Sequence, residues 1–380
     1  MTSLWSRLGL ALALAGLTQV GAAAILSAER APPSKPVTAA PVVPIVPITQ
    51  AVQVAQANVP AAPRPPAQLS KRIEALGRQF NGKVGIAVKS VDDGWTAAWM
   101  PQRLYPQQSV SKLWVAITAL DAVDKGRLNL DDRVTLTKSD LTLFHQPIRS
   151  KVLGNGGHTT TLEELLHDAL TKSDNTANDK LMRAVGGPDA VRSMIKAKQL
   201  GTIRFYDGER SLQSKIAGLT WSQSYSIGRA FYEARNALPM TIRRAAFNRY
   251  LEDPYDGATA SAIVDALARL KKGELLSPSS TARILTFMGN ARTGPNRLKG
   301  GLEPGWTVAH KTGTGQVLGA VQAGYNDIGV VVAPDGRSYA VAVMIKETTT
   351  PLPTRMALMN NVVRAIIQQH NMSRGTAYAL

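Results

Sequence analysis

The chain has 380 residues, 44 Lys and Arg against 27 Asp and Glu, and a formal net charge of +17. It contains no Cys, which excludes disulfides, thiolate-ligated metal, iron–sulfur clusters and a cysteine nucleophile. Hydrophobics at 44% exclude a wholly disordered chain and allow a sizeable core, in one large domain or two ordinary ones. The basic residues are scattered, the densest runs being the doublets Arg243-Arg244 and Lys271-Lys272, so the charge reads as solvated surface and not as a nucleic-acid site.

Residues 1–24 combine Arg7, an apolar run from Leu8 to Leu17 and the small residues Ala22-Ala23-Ala24, the pattern of an export signal. Its apolar run falls short of the roughly 20 residues of a spanning helix, although Ile25-Leu26 would lengthen an uncleaved anchor. Residues 25–67 are Pro- and Ala-rich and read as a semi-extended tether.

A folded body is expected over 68–372, with a short tail at 373–380. An amphipathic helix over Leu69–Phe80 precedes strands at Lys83–Ser90 and near Thr96–Met100. Helices then dominate from 109 to about 290. Thr161-Leu162-Glu163-Glu164 is a capping box, Pro188 marks a helix start, and Gly273 follows a helix ending in Lys271-Lys272. Two further helices are expected at Trp221–Asn236 and Pro239–Glu252. Strands at Trp306–Gly313, Asp327–Ala333 and Ser338–Lys346 and a helix at Thr354–His370 close the chain. Sheet from both ends and helices from the middle predict one α/β body with an inserted all-helical lobe and a cleft where they meet.

Three short motifs carry chemistry. In Ser109-Val110-Ser111-Lys112 a hydroxyl and an amine three residues apart share a helix face, so the amine can take the serine proton if it is kept neutral. Alone this spacing means little, since Ser193-Met194-Ile195-Lys196 repeats it on what reads as ordinary helix surface. Ser173-Asp174-Asn175 follows a helix, where a plain N-cap is the bland alternative. Lys311-Thr312-Gly313, continued by Thr314-Gly315, lies in a β-rich stretch.

Ser-x-x-Lys, Ser-Asp-Asn and Lys-Thr-Gly in that order are the motif set of class A β-lactamases and penicillin-binding proteins. The chain resembles a class A serine β-lactamase over Gln68–Asn371, with further matches at Tyr105-Pro106, Thr176-Ala177, Gly305-Trp306 and Asn326-Asp327-Ile328. The resemblance implies a two-lobed α/β (α+β) fold, an antiparallel sheet flanked by N- and C-terminal helices plus the helical lobe. It implies an exported monomer, periplasmic, secreted or held at membrane or wall through its N-terminal segment. No cofactor, metal or nucleic acid is implied. The substrate would be a small β-lactam or, in the alternative of a D,D-peptidase-like penicillin-binding protein, a peptidoglycan stem peptide.

By the same resemblance Ser109 would be acylated and Lys112 would be its base, directly or through water. Ser173 would pass a proton to the leaving lactam nitrogen. Asn175 would orient Lys112 and the substrate side-chain amide. Lys311, Thr312 and Thr314 would bind the substrate carboxylate, and the backbone N–H groups of Ser109 and Thr314 would form an oxyanion hole. Glu209, 36 residues after Ser173, would activate the deacylating water from a loop that matches the family's Glu-x-x-Leu-Asn pattern at Glu209 and Leu212.

Four departures stand out. Gln213 replaces the family's Asn, its amide one methylene longer, so the water is expected to be held less well. The stretch from Glu209 to Thr259 is much longer than in typical members, with an insertion at about 217–256. His310 precedes Lys311 where Asp is usual, and a histidine there titrates near neutral pH or packs. Tyr325 replaces a substrate-binding Arg, and Arg297, fourteen residues before Lys311, is expected to supply the guanidinium. The remaining histidines, His145, His158, His167 and His370, read as loop or helix residues.

Overall fold

The computed structural model describes residues 63–377. The expected export signal and almost all of the expected tether lie outside those residues. Among the described residues a central antiparallel sheet is built from both ends of the chain. Its strands are β1 (Lys83–Ser90), β2 (Thr96–Trp99), β3 (Thr307–Thr314), β4 (Val321–Val332) and β5 (Ser338–Thr348). The order is β2-β1-β5-β4-β3, with the short strand Val317–Leu318 paired to β4.

Side chains alternate across this sheet with period two. On β5, Tyr339, Val341, Val343 and Ile345 enter one core, with Leu69 and Ile73 of the helix Ala67–Gln79 and Val362 and Ile366 of the helix Leu352–Ala377. Ala340, Ala342 and Met344 of the same strand enter the other core, under the helical lobe. The helix Lys112–Asp124 forms the middle of that second core. Leu113 to Ala122 are all buried, as expected of a helix that is apolar on every side.

Local signals formed as expected. Thr161 accepts from the Glu164 N–H in a full capping box, Pro188 is in the first turn of its helix, and Gly273 takes φ +75° past Lys272. Ser193 and Lys196 are exposed on the helix Pro188–Ala197.

Several boundaries differ. Strand β4 begins at Val321, six residues before its expected start, because Gly324 at φ +78° and the polar Gln322 hide the alternation. The last helix runs from Leu352 to Ala377, so the expected tail is helical as far as Ala377. The helical lobe carries an antiparallel pair, Arg133–Leu136 with His158–Thr161, so it is not all-helical, and His158 is a strand residue. The expected helix over Trp221–Asn236 is a single turn at Gln223–Ser226 and a helix at Ala230–Ala237, split by Gly228 at φ +64°. The second expected helix forms at Met240–Glu252.

Candidate active site

Ser109 lies in a tight 3-10 turn, Gln108–Ser111, that feeds the buried helix Lys112–Asp124. The residue before it, Gln108, has φ +54°, a left-handed conformation uncommon outside glycine. The turn sets Lys112 Nζ 2.8 Å from Ser109 Oγ, in hydrogen-bond contact. Lys112 is 1% exposed, and its Nζ lies 3.6 Å from Glu209 Oε2.

Glu209 is not on a loop but at the first position of the helix Glu209–Ile216, after Gly208 at φ +86°. A Cβ on Gly208 would stand 2.9 Å from Met182 Cε, so glycine serves both the backbone angle and the packing. The Glu209 N–H donates to both oxygens of Asp179 at 3.1 Å. Asp179 is buried, and burial together with the neighbouring Glu209 charge raises its carboxyl above the usual range.

Asp174 caps the helix Asn175–Ala184 by accepting the Ala177 N–H, and Ser173 just before it takes φ +58°. The capping and chemical readings of this motif therefore hold together: the cap bends the chain so that Ser173 Oγ accepts from Lys311 Nζ at 2.8 Å. Lys311 comes from β3, 138 residues away, and is fully buried. Burial, then the Lys112 charge, push its amine well below the ordinary lysine value. The Asn175 amide nitrogen donates to the Leu143 carbonyl at 2.9 Å, and Lys112 Nζ donates to Ser109 Oγ and not to the Asn175 amide oxygen, so the expected orienting contact is absent from this geometry.

Strand β3 is pressed onto the nucleophile turn. A Cβ on Gly313 would fall 2.2 Å from the Gln107 carbonyl oxygen, which explains glycine in Lys-Thr-Gly. Asn326, opposite Gly313 on β4, donates to the Pro106 carbonyl at 2.7 Å and clamps the same loop. Arg297 donates to Thr314 Oγ1 at 2.6 Å and to the Asn326 carbonyl at 2.7 Å.

A cavity of about 360 Å³ gathers Ser109, Ser173, Asn175, Glu209, Gln213, Arg297, Thr312 and Thr314 on its wall. Lys112 and Lys311 reach its serines from beneath. The residues given a catalytic or binding role from sequence thus lie on or directly beneath one cavity. Phe144, His145, Thr293 and Gly294 also line the cavity and carry no sequence motif. Asp179 was legible in retrospect, four residues after Asn175 on the same helix face. His310 is fully buried, its Nδ1 2.9 Å from both Asp327 oxygens, so it packs as a paired core residue.

The model of the beta-lactamase enzyme family matches residues 68–370. The chain belongs to that family. Curated relatives include Beta-lactamase VEB-1 of Pseudomonas aeruginosa, 28% identical over 281 residues, 74% of this chain and 83% of that protein. Extended-spectrum beta-lactamase PER-1 of the same organism is 28% identical over 303 residues, 79% of this chain and 86% of that one. Among solved structures, a beta-lactamase from Chitinophaga pinensis DSM 2588 aligns with TM-score 0.65 at 27% identity, covering 80% of this chain and 99% of that one. An ancestral class A beta-lactamase aligns with TM-score 0.61 at 28% identity, covering 79% and 99%. The two-lobed class A fold and the serine-hydrolase class follow, and the penicillin-binding-protein alternative is not favoured.

Proposed function

We propose that this protein is an exported class A serine β-lactamase that opens the lactam ring of penicillin-type molecules. The observation that carries the reading is the contact chain Ser109–Lys112–Glu209, with spacings of 2.8 and 3.6 Å in a buried pocket. Lys112 stands between the hydroxyl to be activated and a carboxylate able to hold its proton. Ser109 Oγ attacks the lactam carbonyl carbon as its proton passes to Lys112. Collapse of the tetrahedral intermediate breaks the C–N bond, and Ser173, hydrogen-bonded to Lys311, delivers its proton to the nitrogen and takes in its place the proton that Ser109 gave to Lys112. The backbone N–H groups of Ser109 and Thr314 receive the oxyanion, an effect worth about 3–4 kcal/mol for one such donor. Water activated by Glu209 then hydrolyses the ester and frees Ser109.

Lys311, Thr312, Thr314 and Arg297 form the carboxylate end of the site, a cationic and hydroxyl-rich wall suited to an anion. Residues 68–372 constitute the catalytic domain in this reading, and 25–67 tether it after export. Among the described residues no helix is long and apolar enough to cross a membrane.

The test is a time course of intact mass after mixing the purified protein with a penicillin. The expected result is an adduct on Ser109 that forms and clears while hydrolysed drug accumulates. An adduct that persists would instead mark a penicillin-binding protein, and no adduct would overturn the reading.

A further inference from the structure

Gln213 is 3% exposed, and its amide is already committed within the protein. Both Nε2 hydrogens are in use: one donates to Glu209 Oε1 at 3.0 Å, the other to Gln108 Oε1 at 2.8 Å. Its Oε1 accepts from Gln316 Nε2 at 2.9 Å, and Gln316 also donates to the Gln213 carbonyl at 2.8 Å. Both donors of the amide are therefore spent within the protein, while its oxygen keeps one lone pair.

The hydrogen bonds continue away from the cavity. Gln108 Nε2 donates to the Tyr250 hydroxyl, and Tyr250 donates to Asp256 Oδ1 at 2.9 Å. The other Asp256 oxygen accepts the Gln108 N–H at 2.6 Å. An ionised carboxylate only accepts, so Asp256 sets the direction of the whole chain. Tyr250 must donate to it, Gln108 must present its NH₂ to Tyr250 and its oxygen to Gln213, and Gln213 must present its NH₂ to Glu209. The same contacts hold Gln108 in its left-handed conformation immediately before Ser109.

We propose that Gln213 and Gln108 are positioning residues, a bridge that ties the Glu209 carboxylate to the turn carrying Ser109 and anchors both on Asp256. The inference rests on the β-lactamase reading above. It assigns a task to the segment 217–256: Tyr250 and Asp256 sit at its end and secure the two reacting groups from behind. It also accounts for glutamine at position 213. An amide one methylene shorter cannot reach Glu209, Gln108 and Gln316 together.

Gln213→Asn tests the bridge, because it keeps an amide while shortening the span. Formation and clearance of the Ser109 adduct are followed by rapid-quench mass spectrometry with a penicillin, beside the melting temperature. The expected result is a folded variant in which clearance slows about 100-fold, the scale of a small misplacement of a catalytic group, and far more than formation does. Clearance as fast as in the parent, or faster, overturns the bridge. Asp256→Asn, remote from the substrate, is the second variant and stands in should Gln213→Asn fail to fold. It is expected to slow clearance selectively, since an amide at 256 no longer dictates donor direction, and parent-like clearance there also overturns the proposal. A parent that never clears its adduct removes the deacylation reading itself, and the bridge with it.

Discussion

Arg297 sits over the ring of Tyr325, its Cζ 3.8 Å from the ring centroid. Tyr325 stands in β4, and Arg297 reaches the cavity wall from the loop before β3. The tyrosine face supports the guanidinium while Thr314 and two backbone carbonyls fix its plane.

Arg297→Lys should therefore weaken substrate binding, because an ammonium reproduces neither the stacked plane nor the forked hydrogen bonds. Steady-state kinetics on a carboxylate-bearing penicillin should show KM raised about tenfold, consistent with loss of one charge-assisted hydrogen bond. The change in kcat should be smaller. An unchanged KM would remove Arg297 from the carboxylate site.

Glu209→Gln should let the Ser109 adduct form and persist. The amide keeps the shape of the side chain but cannot take a proton from water, so kcat should fall by roughly 10²–10⁴-fold. The mass of the variant mixed with a penicillin should remain at that of the adduct. Parent-like turnover would exclude Glu209 as the base.

Asp256 makes a prediction about stability against pH. Burial pushes its carboxyl up from 3.8 to about 6, against the opposing hydrogen bonds from the Gln108 N–H and Tyr250, with the nearby Glu209 charge adding to the rise. Between those values the folded state holds the proton that the unfolded chain has lost. Ionisation of Asp256 therefore costs stability as pH rises from about 4 to above 6, on the order of 3 kcal/mol in all. Asp256→Asn removes this dependence. Urea midpoints of parent and variant, compared at pH 4 and pH 8, should shift in favour of the variant at the higher pH. The raised carboxyls of Asp174 and Asp179 remain in both proteins and cancel from the comparison. A difference independent of pH would refute the assignment.

Thr161→Ala tests a part of the fold remote from the chemistry. Thr161 accepts the Glu164 N–H at 3.2 Å at the start of the helix Leu162–Thr171. Loss of the cap should lower stability by about 1 kcal/mol. The kcat/KM for a penicillin should stay at the parent value in the same preparation.

Much of the site was legible in the chain itself because its chemistry is carried by short local patterns. Ser109 and Lys112 are three residues apart, and one turn of helix is enough to bring amine to hydroxyl. The capping box at Thr161, the start at Pro188 and strand β1 are likewise local, set by hydrogen bonds and alternation within a few residues. The resemblance over the three motifs then placed Ser173 and Lys311 in one pocket, although 138 residues separate them.

What the tertiary structure decided lies where the contacts are long-range and the residue types carry no pattern. Gln108 and Asp256 are 148 residues apart, and neither an isolated glutamine nor an aspartate in a long connecting segment announces a partner. The work of Gln213 could not be read from its position, because a neutral amide donates and accepts equally well. Only the burial of Tyr250 and Asp256 against the nucleophile turn gives the bonds a direction. The left-handed backbone at Gln108 and Ser173 is of the same kind, since short-range preference opposes it and the packed surroundings hold it in place.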